Sequence, residues 1–135
     1  MSPGPLPADP PHPSLEDMPF WEAARQDRLV LSRCRPCGNI IWYPRAFCPA
    51  CGRMDVEWVE SPGRGTVYSF TVSHRGGGAW REAAPYVIAY VELEEGPRVL
   101  TNIVECDPEA LAVGDRVEVV FQDAGDWKLP RFRPC

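Results

Sequence analysis

The chain has 135 residues, 44% hydrophobic and 24% charged, the make-up of a soluble globular protein of one ordinary domain or two very small ones. Its formal charge of -5, from 19 acidic against 14 basic residues, repels polyanions and disfavours general nucleic-acid binding. No stretch approaches the roughly 20 apolar residues of a membrane helix, and the N-terminus lacks the basic and apolar regions of a secretory signal, which points to a cytoplasmic protein without a membrane partner.

Residues 1–13, MSPGPLPADPPHP, hold six prolines and almost no apolar side chains, so a disordered tail or interdomain linker is expected there. Ser14 and Asp17 are good N-caps, and Leu15, Met18, Trp21 and Ala24 recur at the three-to-four-residue spacing of a short amphipathic helix ending near Gln26. Phe20 and Trp21 on that helix either anchor it on its own domain or face a partner. Arg28–Arg33 reads as a strand and Ile40–Tyr43 as its hairpin return. Together with Val56–Val59, these place residues 14–60 in a helix and a small ribbon.

From residue 61 the pattern is β. Gly65–His74 and Tyr86–Leu93 are dense in β-branched and aromatic residues with period-two alternation. Glu95-Gly96-Pro97 turns into Arg98–Val104, Val113-Gly114-Asp115 turns into Arg116–Gln122, and a last strand runs about Lys128–Arg133. A helical turn is expected over Pro108–Leu111. Five strands in this stretch predict an OB-fold barrel over 61–135, so the fold class is mostly β: an N-terminal helix, a ribbon whose pairs Cys34/Cys37 and Cys48/Cys51 make it a rubredoxin-like zinc ribbon, then a five-stranded barrel.

Cys34 and Cys37 are separated by two residues, as are Cys48 and Cys51, with ten residues between the pairs. Each pair makes a knuckle in which two thiolates converge, and Gly38 and Gly52 supply the left-handed backbone such turns use. Four thiolates fill a tetrahedral shell and leave no place for an activated water, so one structural zinc is expected. A rubredoxin-like iron site, or redox chemistry at one pair, uses similar ligands. Cys106 and Cys135 read as a small buried hydrophobe and a terminal thiol. His12 and His74 are the two histidines, His12 in the Pro-rich segment and His74 beside the Arg75-Gly76-Gly77-Gly78 loop, with no nucleophile motif near it in sequence. No catalytic residue is assigned. The glycine run gives that loop mobility, and Trp80 gives it a large apolar contact suited to ordering on a partner or ligand.

Several motifs together resemble the zinc-ribbon/OB-fold proteins, a former domain of unknown function, found beside acyl-CoA enzymes. They are Phe20-Trp21-Glu22, the two Cys-x-x-Cys-Gly pairs, Tyr43-Pro44-Arg45, Gly63-Arg64-Gly65-Thr66-Val67-Tyr68-Ser69-Phe70-Thr71, Pro85-Tyr86, Leu93-Glu94-Glu95-Gly96-Pro97-Arg98, Gly114-Asp115-x-Val117 and Leu129-Pro130-x-Phe132. The resemblance implies a non-catalytic accessory subunit in a hetero-oligomer with a thiolase-like or lipid-transfer-protein-type acyl-CoA enzyme, sometimes fused to a hotdog-fold hydratase domain. The steroid side-chain aldolase system is the specific relative it suggests. On that reading Phe20, Trp21, Ile41, Trp42 and Trp80 meet the partner, and Arg64, Arg75 and Arg81 meet the phosphates of acyl-CoA, since a guanidinium matches phosphate oxygens bidentately. Single-stranded nucleic-acid binding, with Tyr68, Phe70 and Trp80 stacking bases, is the alternative that ribbons and OB barrels also serve.

Overall fold

Alternation of apolar and polar residues sets the strands, and their inward sides fix where the core lies. The computed structural model describes residues 6–135. Helix α1 (Met18–Arg25) is followed by strand β1 (Leu29–Cys34), β2 (Ile40–Ile41) and β3 (Val56–Ser61). Strand β1 is central in this sheet, antiparallel to both neighbours, with Ser32 opposite Ile41 and Leu31 opposite Val59. Cross-strand Arg33 and Glu57 lie 2.5 Å apart, and Arg35 reaches the same carboxylate at 3.3 Å. Both acid and bases are at the surface, so these pairs add little stability and mainly favour the register.

The remaining strands, β4 (Arg64–Ser73), β5 (Tyr86–Leu93), β6 (Arg98–Ile103), β7 (Arg116–Ala124) and β8 (Trp127–Pro134), close a barrel in the order β4-β5-β6-β8-β7 and back to β4. All pairings are antiparallel except β6 with β8, which meet in parallel at Ile103 and Phe132. Closure leaves no long open edge. Val67, Val87, Ala89, Val91, Leu93, Val99, Ile103, Val117 and Phe132 fill the interior. A register shift between Val67 and Ser69 puts Tyr68 outside, where Arg98 lies over its ring at 3.9 Å.

The same core takes in Phe20 from α1 and Leu29 and Leu31 from β1, so ribbon and barrel share one apolar interior. The joint between them turns at Gly63, whose φ is +71°. A Cβ there would lie 2.2 Å from Val119 Cγ1, so only glycine fits. At its C-terminal end α1 is tied to β8 by Arg25 over the Trp127 ring at 4.8 Å and by Asp27 with Lys128 at 2.8 Å.

Several expectations need correction. The buried face of α1 is Phe20, Ala23 and Ala24, while Leu15 precedes the helix and is 96% exposed, so the true apolar face starts from a different residue. Asp17 is the N-cap but makes no side-chain cap bond, because its carboxylate accepts from Ser14 and from Tyr43 Oη instead. The segment 108–110 is a single hydrogen-bonded turn with Ala110 N–H donating to Asp107 O at 3.0 Å. Of the expected disordered tail, residues 1–5 lie outside the described residues; residues 6–13 carry no helix or strand, yet Leu6 is buried and Pro7 O accepts from Arg131 Nη2 at 2.8 Å. Burial of Leu6 and hydrogen bonds from Gln122 and Arg131 to the carbonyls of Leu6 and Pro7 hold this segment against the barrel.

Candidate metal centre and its surroundings

Strand β1 ends at Cys34, and the chain turns through Cys37 and Gly38 before returning as β2. The second knuckle, Cys48 to Gly52, repeats the turn, with Gly38 N–H donating to Cys34 O at 2.8 Å and Gly52 N–H to Cys48 O at 2.7 Å. Positive φ at Gly38 (76°) and Gly52 (79°) makes these turns possible. The four sulfurs lie within 4.8 Å of one another, with Cys34 Sγ 3.6 Å from Cys51 Sγ and Cys37 Sγ 3.7 Å from Cys48 Sγ. A tetrahedral zinc with Zn–S bonds of about 2.3 Å separates its sulfurs by about 3.8 Å, so the tetrad fits the ion.

Cys34 and Cys48 are buried while Cys37 and Cys51 are exposed, so the site is roofed by the ribbon on one side only. Burial raises the Cys48 thiol, but the N–H groups of Cys51 and Ala50, with Cys37 and the Asn39 amide, outweigh it and bring the group down to about 6. The Cys37 N–H favours the Cys34 thiolate, yet burial and the thiols of Cys37, Cys51 and Cys48 push it up to about 12. The tetrad therefore sheds its protons on loading metal. Ile41 and Val56 complete the small apolar cluster around Cys34 and Cys48.

The aromatic residues beside the ribbon form a cluster of their own. Phe20 meets Trp21, Trp42 and Tyr43 edge-on at centroid distances of 4.9, 5.6 and 6.0 Å. Trp21 Nε1 donates to Tyr43 Oη at 3.0 Å, and Tyr43 Oη donates to Asp17 Oδ2 at 2.7 Å. Burial beside that carboxylate raises the Tyr43 phenol, keeping it a donor. Asp17 moves the other way: burial raises its carboxyl, but hydrogen bonds from Tyr43, Ser14 and Trp21 hold it below the usual range. Phe20 and Ile41, expected at a partner surface, are buried at 2% and 1% exposure and are core residues, and Trp21 and Trp42 are half-buried against the same core.

The three arginines expected to meet acyl-CoA do not converge. Arg64 begins β4, whereas Arg75 and Arg81 follow its far end, so the length of the strand lies between them. Arg75, Arg81 and His74 are exposed. Trp80 closes a short 3₁₀ turn (Gly78–Trp80), packs at a tilt against the Tyr86 ring at a centroid distance of 4.7 Å and is half-buried, so it already has an apolar partner in its own barrel. A Cβ on Gly76 would lie 2.3 Å from Trp80 O, which shows that this glycine serves close packing. Sequence reasoning missed the outer face of β5 and β6. There Tyr90 opposes Leu100, with exposures of 45% and 62%, near Tyr68 at 47%. Their period-two placement opposite the interior valines is the signal that could have revealed it.

A four-cysteine ribbon fused through a shared core to a five-stranded barrel defines the class: a zinc-ribbon/OB-fold protein whose metal is structural. Residues 21–57 match the family model "ChsH2, rubredoxin-like zinc ribbon domain", and residues 58–122 match "ChsH2, C-terminal OB-fold domain". The chain belongs to this ChsH2 (DUF35) family. It is 42% identical over 128 residues to a "Probable enoyl-CoA hydratase alpha subunit" of Thermomonospora curvata, covering 93% of this chain but 40% of that relative. A "DUF35 domain-containing scaffold protein" of Methanothermobacter thermautotrophicus is 42% identical over 95 residues, 70% of this chain and 71% of the relative. The "Benzoylsuccinyl-CoA thiolase subunit BbsA" of Thauera aromatica is 30% identical over 85% of this chain and 76% of its own. Among solved structures, a chain of the "Ltp2-ChsH2(DUF35) aldolase" superposes with a TM-score of 0.83 at 39% identity, covering 93% of this chain and 98% of that one. Among the described residues no helix is long and apolar enough to cross a membrane.

Proposed function

We propose that the chain is a non-catalytic accessory module that binds a thiolase-like acyl-CoA enzyme and helps form its acyl-CoA entrance. Within that role, the partner we favour is a lipid-transfer-protein-type retro-aldolase acting on steroid side-chain acyl-CoA. The observation that carries the reading is the near-complete superposition on the chain from the Ltp2-ChsH2(DUF35) aldolase. The scaffold protein and the thiolase subunit among its relatives agree with it.

The physical part follows from the exposed surfaces. With Phe20 and Ile41 committed to the core, the exposed apolar groups open to a partner include Tyr68, Tyr90 and Leu100 on the barrel, and Phe47 and Met54 in the ribbon. Arg75 and Arg81 share the segment between β4 and β5 and are the pair assigned to CoA phosphates, while Arg64 begins β4 at its other end. The zinc fixes the ribbon's shape and takes no part in the chemistry.

The test is a tandem-affinity purification of the tagged chain from its native host, with mass spectrometry of co-purifying proteins and zinc analysis. Stoichiometric recovery of a thiolase-like protein that is lost with Leu100→Glu supports the reading. Recovery of nucleic acid, or of no partner, sinks it. In the recovered complex, Arg75→Ala with Arg81→Ala should raise KM for acyl-CoA several-fold with little change in kcat; an unchanged KM would remove these arginines from the entrance.

A further inference from the structure

Away from the zinc and from the outer β5–β6 face, the barrel holds a cavity of about 380 Å³. Its walls are mainly apolar, from Tyr86, Val87, Ile103, Val120 and Phe121, and Leu6 covers one side. Gln122 Nε2 donates to Leu6 O, which pins that side in place. The Cys106 thiol lies in the wall, and burial, then the nearby Asp107 charge, raises it, so it stays protonated.

One wall residue does not belong in an apolar cavity. Arg131 is 6% exposed, and its guanidinium donates from Nη1 to Asn102 Oδ1 and from Nη2 to Pro7 O at 2.8 Å. Its Nε is buried without a partner. Among the described residues no carboxylate lies within ion-pair distance of it. The acid at the cavity rim, Glu105, sits 3.5 Å from Arg133 instead. The basic residues that do form ion pairs, Arg28, Arg33, Arg35, Arg98, Lys128 and Arg133, are surface or half-buried groups. The Trp80 ring, 5.9 Å from Cζ, offsets only part of the charge. A buried cation is ordinarily paired, because desolvation penalises it, and here the neighbours are two neutral oxygens and an indole.

We propose that this cavity is a binding site for a small apolar carboxylic acid, taken as its anion, with the hydrocarbon against Val87, Ile103, Val120 and Phe121 and the carboxylate drawn toward Arg131. The apolar wall supplies affinity without regard to the head group, whereas the unmatched guanidinium selects an anion over an alcohol of equal length. The shape is that of an ordinary ligand site, mostly apolar with one oriented polar group. The assignment stands apart from the accessory role and does not depend on any partner.

The test uses the whole zinc-loaded chain with decanoate and decanol as probes, each followed by amide and methyl NMR shifts. Decanoate is expected to shift the resonances of the cavity wall and to bind at least about tenfold more tightly than decanol, a difference of about 1.4 kcal/mol. In Arg131→Gln that preference should vanish while decanol binding is retained. A second measurement needs no variant: decanoate should slow alkylation of Cys106 several-fold, resolved by peptide mass, and leave exposed Cys135 unaffected. Equal affinity for the two probes, a preference that survives Arg131→Gln, or no protection of Cys106 would each overturn the proposal.

Discussion

Phe20 is the residue through which the helix, the ribbon and the barrel share one interior, and its truncation measures how much that sharing stabilises. The ring is 2% exposed and meets three aromatic neighbours edge-on, at 4.9, 5.6 and 6.0 Å. Phe20→Ala loses a transfer contribution of about 2 kcal/mol. Lost aromatic pairing adds about 1 kcal/mol, and the unfilled void a similar amount, for a total near 4 kcal/mol, within the usual range of about 3–5. The assay is urea unfolding at saturating zinc, followed by tryptophan fluorescence. With a slope of about 1.5 kcal/mol per M for a chain of this size, the midpoint should fall by about 2.5 M at unchanged slope. A fall of less than about 0.5 M would refute the argument that the helix is keyed into the common core.

Two further outcomes are expected. Cys48→Ala should abolish stoichiometric zinc and strip hydrogen-exchange protection from residues 34–55, while the barrel strands, closed on their own ladders, keep theirs; loss of protection throughout would show that the barrel depends on the metal. Asp17 has a folded carboxyl below its ordinary 3.8, so it stabilises the native state above that value and the contribution is lost as pH falls through the folded pKa. The stability gap between wild type and Asp17→Asn, measured by urea titration near pH 6, should therefore shrink below about pH 4. A gap constant down to about pH 2 would mean that the carboxylate charge contributes nothing.

The metal ligands were legible because cysteine pairing carries its own geometry: the spacing, the trailing glycines and the thiolate chemistry all specify one tetrahedral site. The barrel strands were legible for a similar reason, since Tyr86–Leu93 alternates along its length and each turn is marked by glycine or proline. The helix face was not, because eight residues span little more than two turns, and Leu15, Met18, Trp21 and Ala24 recur at helical spacing although only Ala24 of them lies on the buried face. Burial of Phe20 and Ile41 was equally hidden: an aromatic or aliphatic side chain on a short element reads alike whether it meets its own core or a partner. The separation of Arg64 from Arg75 and Arg81 needed the length of β4. The cavity beside Arg131 needed residues from both ends of the chain, Leu6 and Arg131, which no local pattern connects.

Strand β1 begins inside the barrel's interior at Leu29 and Leu31 and ends as the first zinc ligand, Cys34. The distance and facing between Leu31 and Cys34 are thus set by the two extended residues between them, Ser32 and Arg33. Inserting or deleting one residue between Leu31 and Cys34 would turn the thiol to the opposite face of the sheet, and no rotamer could bring it back. Length variation among natural and engineered variants should accordingly be absent from this strand and gather at residues 45–47, between β2 and the second knuckle, where the chain is exposed and carries no helix or strand.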